Sequence, residues 1–460
     1  MKRTFASSEL ERVWSWKNPG SAFEATGVST DTRTLKPGDL FFCLSGENFD
    51  AHDFVETAAE KNAAAVVVRS DRAALLPRIS CAVIAVEDPL LAMNALAREV
   101  RSSLRVPVLA VCGSNGKTST KDMAYGMASK MVRAYATEGN LNNHIGLPLT
   151  LLRVPPDAQI VILELGMNHP GELGALARIA RPHHAIVTSI ADEHAEFFPT
   201  LLDTARAEME ITEGMEPGGI VFFHADAPCR NAAEEACEER RLTLKLFRAN
   251  DVRADLAGIH LKLHDREVIN PAYLSPVMAE NLAGAFELLA AAGLDPRRLA
   301  EAAGEVEPRA GRRFQVFRKK SGAREILLVD DSYNANEASF VAAIEAMRQV
   351  LPSGKIALFA GEMAELGERS AAAHQAVGQA AAKNRMQAVY VSGTQDARIL
   401  LDAYLEGFKD GLAVWKPGPV ELLSGFSADE YDGILVKGSR RAGMDQVSDQ
   451  LKAAGFSAGK

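Results

Sequence analysis

The sequence predicts an α/β protein of three domains, a small mixed one at the N-terminus followed by two that are doubly wound. Three observations predict it. The chain has 460 residues, room for about three domains of ordinary size. Apolar runs rich in Val and Ile alternate with helical stretches, as buried parallel strands alternate with crossover helices. The pattern also resets twice, at "RSSLRVP" (101–107) and "EPRAGRRF" (307–314).

Taken in order, the first segment carries the strand-like runs "DLFFCLSG" and "AAAVVVRS" with helical stretches between them. After the first reset come "VLAVCG", "IVILELG", "AIVTSI" and "GIVFFHAD". After the second come "EILLVDDS", "KIALFAG", "AVYVSG" and "GILVKGS". Each is short, apolar and followed by turn residues, which suits a central strand. Alanine-rich stretches such as "LAGAFELLAAAGL" read as helix.

Composition narrows the function classes. Hydrophobic residues make up 47% and charged residues 24%, a globular balance with enough apolar surface for several cores. A net charge of -9 argues against a general nucleic-acid binder, though it leaves room for a local anion site. Cys43, Cys81, Cys112, Cys229 and Cys237 are scattered without zinc spacing, so they are expected as reduced thiols. No apolar run follows Met1-Lys2-Arg3, and none approaches a membrane span. A cytoplasmic protein without membrane insertion is expected.

The chemistry begins at "VCGSNGKTST" (111–120). Gly113, Ser114, Asn115, Gly116, Lys117, Thr118 and Ser119 follow a strand and open a helix, where backbone N–H groups and the helix dipole favour phosphate. The spacing is two residues shorter than the usual phosphate loop. Lys117 is expected against the β/γ-phosphates and the Thr118 hydroxyl on Mg²⁺. A plain glycine turn with a surface lysine has the same local composition.

A metal there needs a carboxylate, and Glu164 interrupts the apolar run "IVILELG" near its C-terminal end, the edge where α/β sheets place ligands. A buried unpaired carboxylate would be costly, although a strand-end glutamate facing solvent is the plainer alternative. His194, just after the next strand, reaches the same edge. At the last strand, Lys437, Ser439 and Arg440 of "VKGSRR" bring cations and a hydroxyl to a sheet edge, suited to a carboxylate or to solvent alone.

"GSNGKTS" resembles the ATP loop of the Mur ligases, and the short spacing is that family's own variant. "STDTRTLKPGDLFFCLSGENFDAHDF", "TEGNLNNHIGLPLTLL", "VDDSYNANEAS", "FAGEMAELGERSAAAH" and "GILVKGSRRAGM" extend the resemblance over nearly the whole chain. They resemble most the member that adds D-alanyl-D-alanine to UDP-N-acetylmuramoyl-tripeptide in peptidoglycan synthesis; a related ligase with another acceptor, or a nucleotide-binding relative that has lost catalysis, is the alternative.

The resemblance implies a UDP-substrate domain (1–104), a P-loop-type ATP-binding domain (105–313) and a Rossmann-like closing domain that binds the dipeptide (314–460). It implies ATP and Mg²⁺, small-molecule partners only, and a monomer. Ser29, Thr30, Asp31, Arg33, Asn48 and His52 would lie near UDP. Asn140, Asn142, Asn143, Asn168, His169, Tyr333, Asn334, Asn336, Lys437, Ser439 and Arg440 would face the peptide substrates. Asn281, Arg312 and Asp331 would contact ATP, while Thr118, Glu164 and His194 would hold the metal. The resemblance leaves open whether the tripeptide ends in lysine or diaminopimelate.

Several positions depart from the family. Glu208 of "ARAEMEI" stands where a CO₂-carboxylated lysine is usual, and no lysine occurs between Lys130 and Lys245. Glutamate carries a comparable charge permanently, so Glu208 is expected to serve catalysis in its place, reaching a second Mg²⁺ through water or from a backbone that sits closer to the metal. His144, Val277, Met278 and Glu337 also replace usual residues.

Overall fold

The structure is a computed structural model that describes residues 3–16, 22–46, 49–192, 197–309 and 311–458. Every apolar run named above contains a strand. The N-terminal four-stranded sheet is parallel, in the order Gly27–Ser29, Asp39–Phe42, Ala65–Arg69, Ala82–Val86. Side chains alternate across it. Leu40 and Phe42 face one core and Phe41 faces another, so Asp39–Phe42 is buried throughout.

Helix Pro89–Ser103 seats this domain on the next. Asp88 caps it by accepting the N–H groups of Leu90 and Leu91, with Pro89 at the first helical position, where its missing N–H costs nothing. Met93, Leu96, Ala97 and Val100 form one helical face and share a core with Val108, Ala110 and Cys112. Beyond that face, the buried Arg101 donates Nε–H to the Ala180 carbonyl at 2.6 Å, satisfying an end of helix Glu172–Ala180.

The central sheet has six parallel strands, ordered Ala134–Ala136, Ile160–Glu164, Val108–Cys112, His184–Val187, Ile220–His224, Thr243–Phe247. Strand order reverses on either side of Val108–Cys112, and ligands bind at such switch points. An antiparallel three-stranded meander, Asn250–Asp255, Gly258–Leu263 and Arg266–Asn270, is an addition that the alternating pattern did not predict.

The C-terminal sheet runs Leu412–Lys416, Ala388–Ser392, Ile356–Gly361, Gly433–Lys437, Arg324–Asp331, Gln315–Ser321, Ser457–Ala458. Its last two strands are antiparallel additions. Parallel register sets Asp331 beside Lys437, which decides one side of the site. We propose the divisions 1–104, 105–313 and 314–460, because each parallel sheet falls inside one of them. No helix among the described residues is long and apolar enough to cross a membrane, and the five cysteines are free thiols.

One ion pair in this domain has a testable consequence. Asp330 is fully buried; it accepts from Lys452 Nζ at 2.5 Å and Ser332 Oγ at 2.6 Å. Burial disfavours its charged form, yet Lys452 and Ser332 hold it below the usual 3.8. Stability from this pair is therefore complete above the unfolded value and is lost as pH falls through the lower native one. Asp330→Asn should lose about 1–3 kcal/mol near neutrality. The gap between variant and parent urea midpoints should narrow as the pH is lowered below 3.8.

Candidate active site

The expected phosphate loop is built on two glycines that need their backbone freedom. Gly113 has φ +116° and Gly116 has φ +87°, a region that side chains rarely adopt. A β-carbon on Gly113 would fall 2.4 Å from Thr188 Oγ1, and one on Gly116 would fall 2.5 Å from Asn281 Oδ1. The loop is held from beneath: Gly113 N–H donates to Glu208 Oε2, Ser114 N–H to the Ser189 carbonyl, and Asn115 N–H to Ser189 Oγ. The first turn of helix Lys117–Ser129 then opens into a cavity of about 770 Å³. Lys117 lines it, with Nζ on the carbonyls of Gly113 at 2.5 Å and Ser114 at 3.2 Å.

Glu164 ends its strand at the cavity floor and is only 1% exposed. Its Oε1 accepts from Thr118 Oγ1 at 3.1 Å and Asn142 Nδ2 at 2.8 Å. Its Oε2 is buried without a hydrogen bond; the nearest cation, Lys121 Nζ, is 3.9 Å away. An orphaned carboxylate oxygen beside a threonine hydroxyl fits Mg²⁺, a hard cation that takes one or two carboxylates and completes its shell from phosphates and water. Lys121 is held by Asp122 at 2.8 Å and the Thr137 carbonyl at 3.0 Å. Lying four residues after Lys117 on the helix, it was within reach of periodicity reasoning.

The C-terminal domain forms the opposite wall. Lys437 Nζ meets Asp331 Oδ2 at 2.6 Å and the Asn334 carbonyl at 3.1 Å. Burial pushes the Asp331 carboxyl upward, against the opposing pull of Lys437. Asn336 caps helix Glu337–Val350 through its Oδ1 and donates from Nδ2 to Asn115 Oδ1 at 3.0 Å, so this domain touches the phosphate loop directly. Arg369 adds a second bridge, to Asp192 at 2.5 Å.

The cavity gathers much of the expected set: Ser114 to Ser119, Asn140, Asn142, Asn143, Glu164, Asn168, Asn281, Asp331, Tyr333, Asn334, Asn336, Lys437, Ser439 and Arg440. Other expected residues stand elsewhere. The Arg312 guanidinium is turned to the Asp445 carbonyl and Asp449, and its neighbour Arg313 enters the cavity instead, stacked 4.0 Å above the Tyr333 ring. Left-handed backbone at Arg312 and Phe314 (φ +63° and +52°) separates the directions of the two arginines. Glu208 is 2% exposed and supports Gly113 rather than lining the cavity. His169 pairs with Glu172 and packs on Phe197 outside the cavity lining.

In the N-terminal domain, Asp31 and Arg33 pair with each other at 2.6 Å, while the Ser29 hydroxyl donates to the Asp31 carbonyl. Thr30 follows on the same turn. His52 is buried with both ring nitrogens occupied: Nε2 accepts from Arg69 N–H, so Nδ1 donates to Asp50 at 2.6 Å. That makes His52 an anchor of its own loop rather than a contact open to a ligand. Asn48 and His194 lie outside the described residues. Arg313, Arg441, Asp192 and Lys121 are residues at or bordering the cavity that sequence reasoning missed.

Fold and site together define a three-domain α/β protein in which a glycine-rich strand-to-helix loop and the C-terminal domain line one cavity. Residues 24–101 match the Mur ligase family catalytic domain, 111–289 the Mur ligase middle domain, and 312–440 the Mur ligase glutamate ligase domain. The UDP-N-acetylmuramoyl-tripeptide–D-alanyl-D-alanine ligase of Escherichia coli is 34% identical over 463 residues, 97% of this chain and 98% of that protein. The Bacillus subtilis ligase of the same name is 32% identical, over 92% of this chain and 93% of its own. The chain belongs to the Mur ligase family. A MurF crystal structure from Acinetobacter baumannii superposes with TM-score 0.84 at 25% identity, covering 98% of this chain and 99% of that one. MurF from Thermotoga maritima, in complex with ADP, gives 0.76 at 26%, covering 93% and 97%.

Proposed function

We propose that this protein uses ATP to join D-alanyl-D-alanine to UDP-N-acetylmuramoyl-tripeptide in the cytoplasmic synthesis of peptidoglycan precursors, acting as a monomer. The observation that carries the reading is the single cavity shared by the phosphate loop, the orphaned oxygen of Glu164 and the cationic C-terminal edge. The two substrates are those named for the full-length relatives.

In this reading the first turn of helix Lys117–Ser129 and the Lys117 ammonium hold the phosphates. Asn281 lies on the adenine side, while Arg313 and Asp331 meet ATP from the closing domain. Mg²⁺ held by Thr118 and Glu164, with His194 as a further ligand, would neutralise charge at the phosphates. An oxygen of the tripeptide carboxylate attacks the γ-phosphorus, the bond to ADP breaks, and an acyl phosphate forms. The dipeptide amine attacks that carbonyl, the C–N bond forms, the C–O bond to phosphate breaks, and the amine proton is lost. Asn140, Asn142, Asn143 and Asn168 offer donors and acceptors to the peptide, and Ser439 and Arg440 meet it from the C-terminal edge. The closed wall around Asn336 keeps water from the acyl phosphate. Ser29, Thr30, Asp31 and Arg33 bind the UDP end.

ADP release with the UDP-muramoyl tripeptide, measured with and without D-alanyl-D-alanine, tests the proposal. Sustained release, beyond one equivalent per enzyme, should require both, and turnover indifferent to the dipeptide would defeat it. Glu164→Gln keeps the shape but removes the charge. It should raise the Mg²⁺ concentration for half-maximal rate by about tenfold or more, the scale on which metal sites answer the loss of a supporting partner. An unchanged Mg²⁺ dependence would return Glu164 to a purely structural role.

A further inference from the structure

The loop after strand Ile356–Gly361 carries Ala364, Glu365 and Leu366 to the cavity wall. Its course is strained. Glu365 has φ +63°, a region that non-glycine residues seldom adopt and that persists where surrounding contacts hold it. Such contacts are present at both ends of the loop. The His374 ring, 1% exposed, spans the base: its Nε2 accepts the Met363 N–H at 3.1 Å, so its Nδ1 donates to the Ser370 carbonyl at 2.8 Å. The Glu362 carbonyl accepts the Ser439 N–H at 3.0 Å, joining the loop to the edge that bears Arg440. At the far end Arg369 reaches the central domain, where one guanidinium nitrogen meets Asp192 at 2.5 Å and the other donates to the Pro199 carbonyl at 2.9 Å. Asp192 also lines the cavity. Its neighbour Ala191 exchanges two hydrogen bonds with the Ser114 hydroxyl of the glycine-rich loop.

These contacts fix the loop relative to both reactants of the second chemical step. A dipeptide that meets Ser439 and Arg440 lies against residues 364–366, while the acyl phosphate forms on the central-domain side, by Thr118 and Glu164. The distance from amine to carbonyl, and the space left for water, therefore follow from where residues 364–366 stand. We propose that Arg369 and His374 are positioning residues for amide formation: they hold the 363–369 loop in the cavity wall so that the dipeptide amine, and not water, takes the acyl group. The inference rests on the ligase reading and deepens it by naming the residues that couple ATP use to the acceptor. When the hold is lost, water attacks the acyl carbonyl and the C–O bond to phosphate breaks. The carboxylate and phosphate are then released with a proton, and ATP has been hydrolysed without an amide. Both members of the Arg369–Asp192 pair are about half exposed, and such pairs contribute little to global stability. Their effect is on the geometry of the joint, where a small misplacement of reacting groups is costly in rate.

The experiment measures ADP and amide product in the same reaction, with saturating ATP and UDP-muramoyl tripeptide and varied D-alanyl-D-alanine. The parent is compared with Arg369→Ala, Arg369→Lys and His374→Gln. The parent should form ADP and amide in equal amounts. Arg369→Ala should raise the KM for the dipeptide by about tenfold or more, the scale on which displaced reactants lose rate, and should release ADP in excess over amide. Arg369→Lys keeps the charge but not the fork that reaches both Asp192 and Pro199, so it should fall between the two. Glutamine keeps a donor and an acceptor in the buried place of His374 without the geometry of the ring, and the same excess of ADP is expected. The KM for the UDP-muramoyl tripeptide should change little in all three variants. ADP and amide that stay equal, with an unchanged dipeptide KM, in either Arg369→Ala or His374→Gln overturn the inference and leave the ligase reading standing. A parent that forms no amide overturns both.

Discussion

Lys117→Ala will lower the rate of ligation by about a hundredfold to a thousandfold, the cost of removing a preorganised donor from developing charge. The ammonium is the cation that the loop itself contributes to the cavity, held by the Gly113 and Ser114 carbonyls. Those carbonyls position it at the helix N-terminus, where phosphate charge collects. The turn around Ser29, Asp31 and Arg33, which we propose for the UDP end, follows a strand of a different sheet. Binding of the UDP-muramoyl tripeptide, followed by calorimetry without nucleotide, should therefore change little in the same variant. Full ligation activity in Lys117→Ala would remove the nucleotide assignment from this loop.

Glu208 leads to the second large effect. Its carboxylate is buried and accepts Gly113 N–H at 2.8 Å, so it holds the loop at the residue with φ +116°. We propose that this is how glutamate meets the family's need for a negative group here: it acts from beneath the loop, with no water bridge across the cavity. Glu208→Ala strands a buried N–H, at about 1–3 kcal/mol, and removes a fixed charge, so activity should fall by about tenfold to a hundredfold or more. A carboxylated lysine needs CO₂, whereas a glutamate does not. The parent enzyme should therefore work equally well in CO₂-depleted buffer and with added bicarbonate. A large loss of rate on depletion, restored by bicarbonate, would show this account of Glu208 to be wrong. Glu208→Lys should recover activity only with bicarbonate, and only if the longer arm is accommodated.

What the sequence determined by itself is local. Apolar runs became strands because a buried parallel strand needs nothing but consecutive apolar residues and a turn after them. The loop at Gly113 to Ser119 was legible because two glycines, a lysine and a hydroxyl residue at that spacing, between strand and helix, constrain the backbone within a few residues. Glu164 was legible because a carboxylate at the end of an apolar strand must face something polar. The meander at 250–270 was not, since its short antiparallel strands break the alternation that identified the others.

What only the tertiary structure decided is where side chains meet across long stretches of chain. Asp331 and Lys437 are neighbours through sheet register, and Asn336 reaches Asn115 across the domain joint. No pattern within either segment announces the other. Of the adjacent Arg312 and Arg313, one is spent on Asp449 and the other enters the cavity, because left-handed backbone at Arg312 and Phe314 sends consecutive side chains different ways. His52 is bonded to Asp50 and the Arg69 N–H, and Glu208 to the Gly113 N–H. A polar side chain's role depends on which donors and acceptors the fold brings within about 3 Å of it, and most of those come from residues far away in sequence.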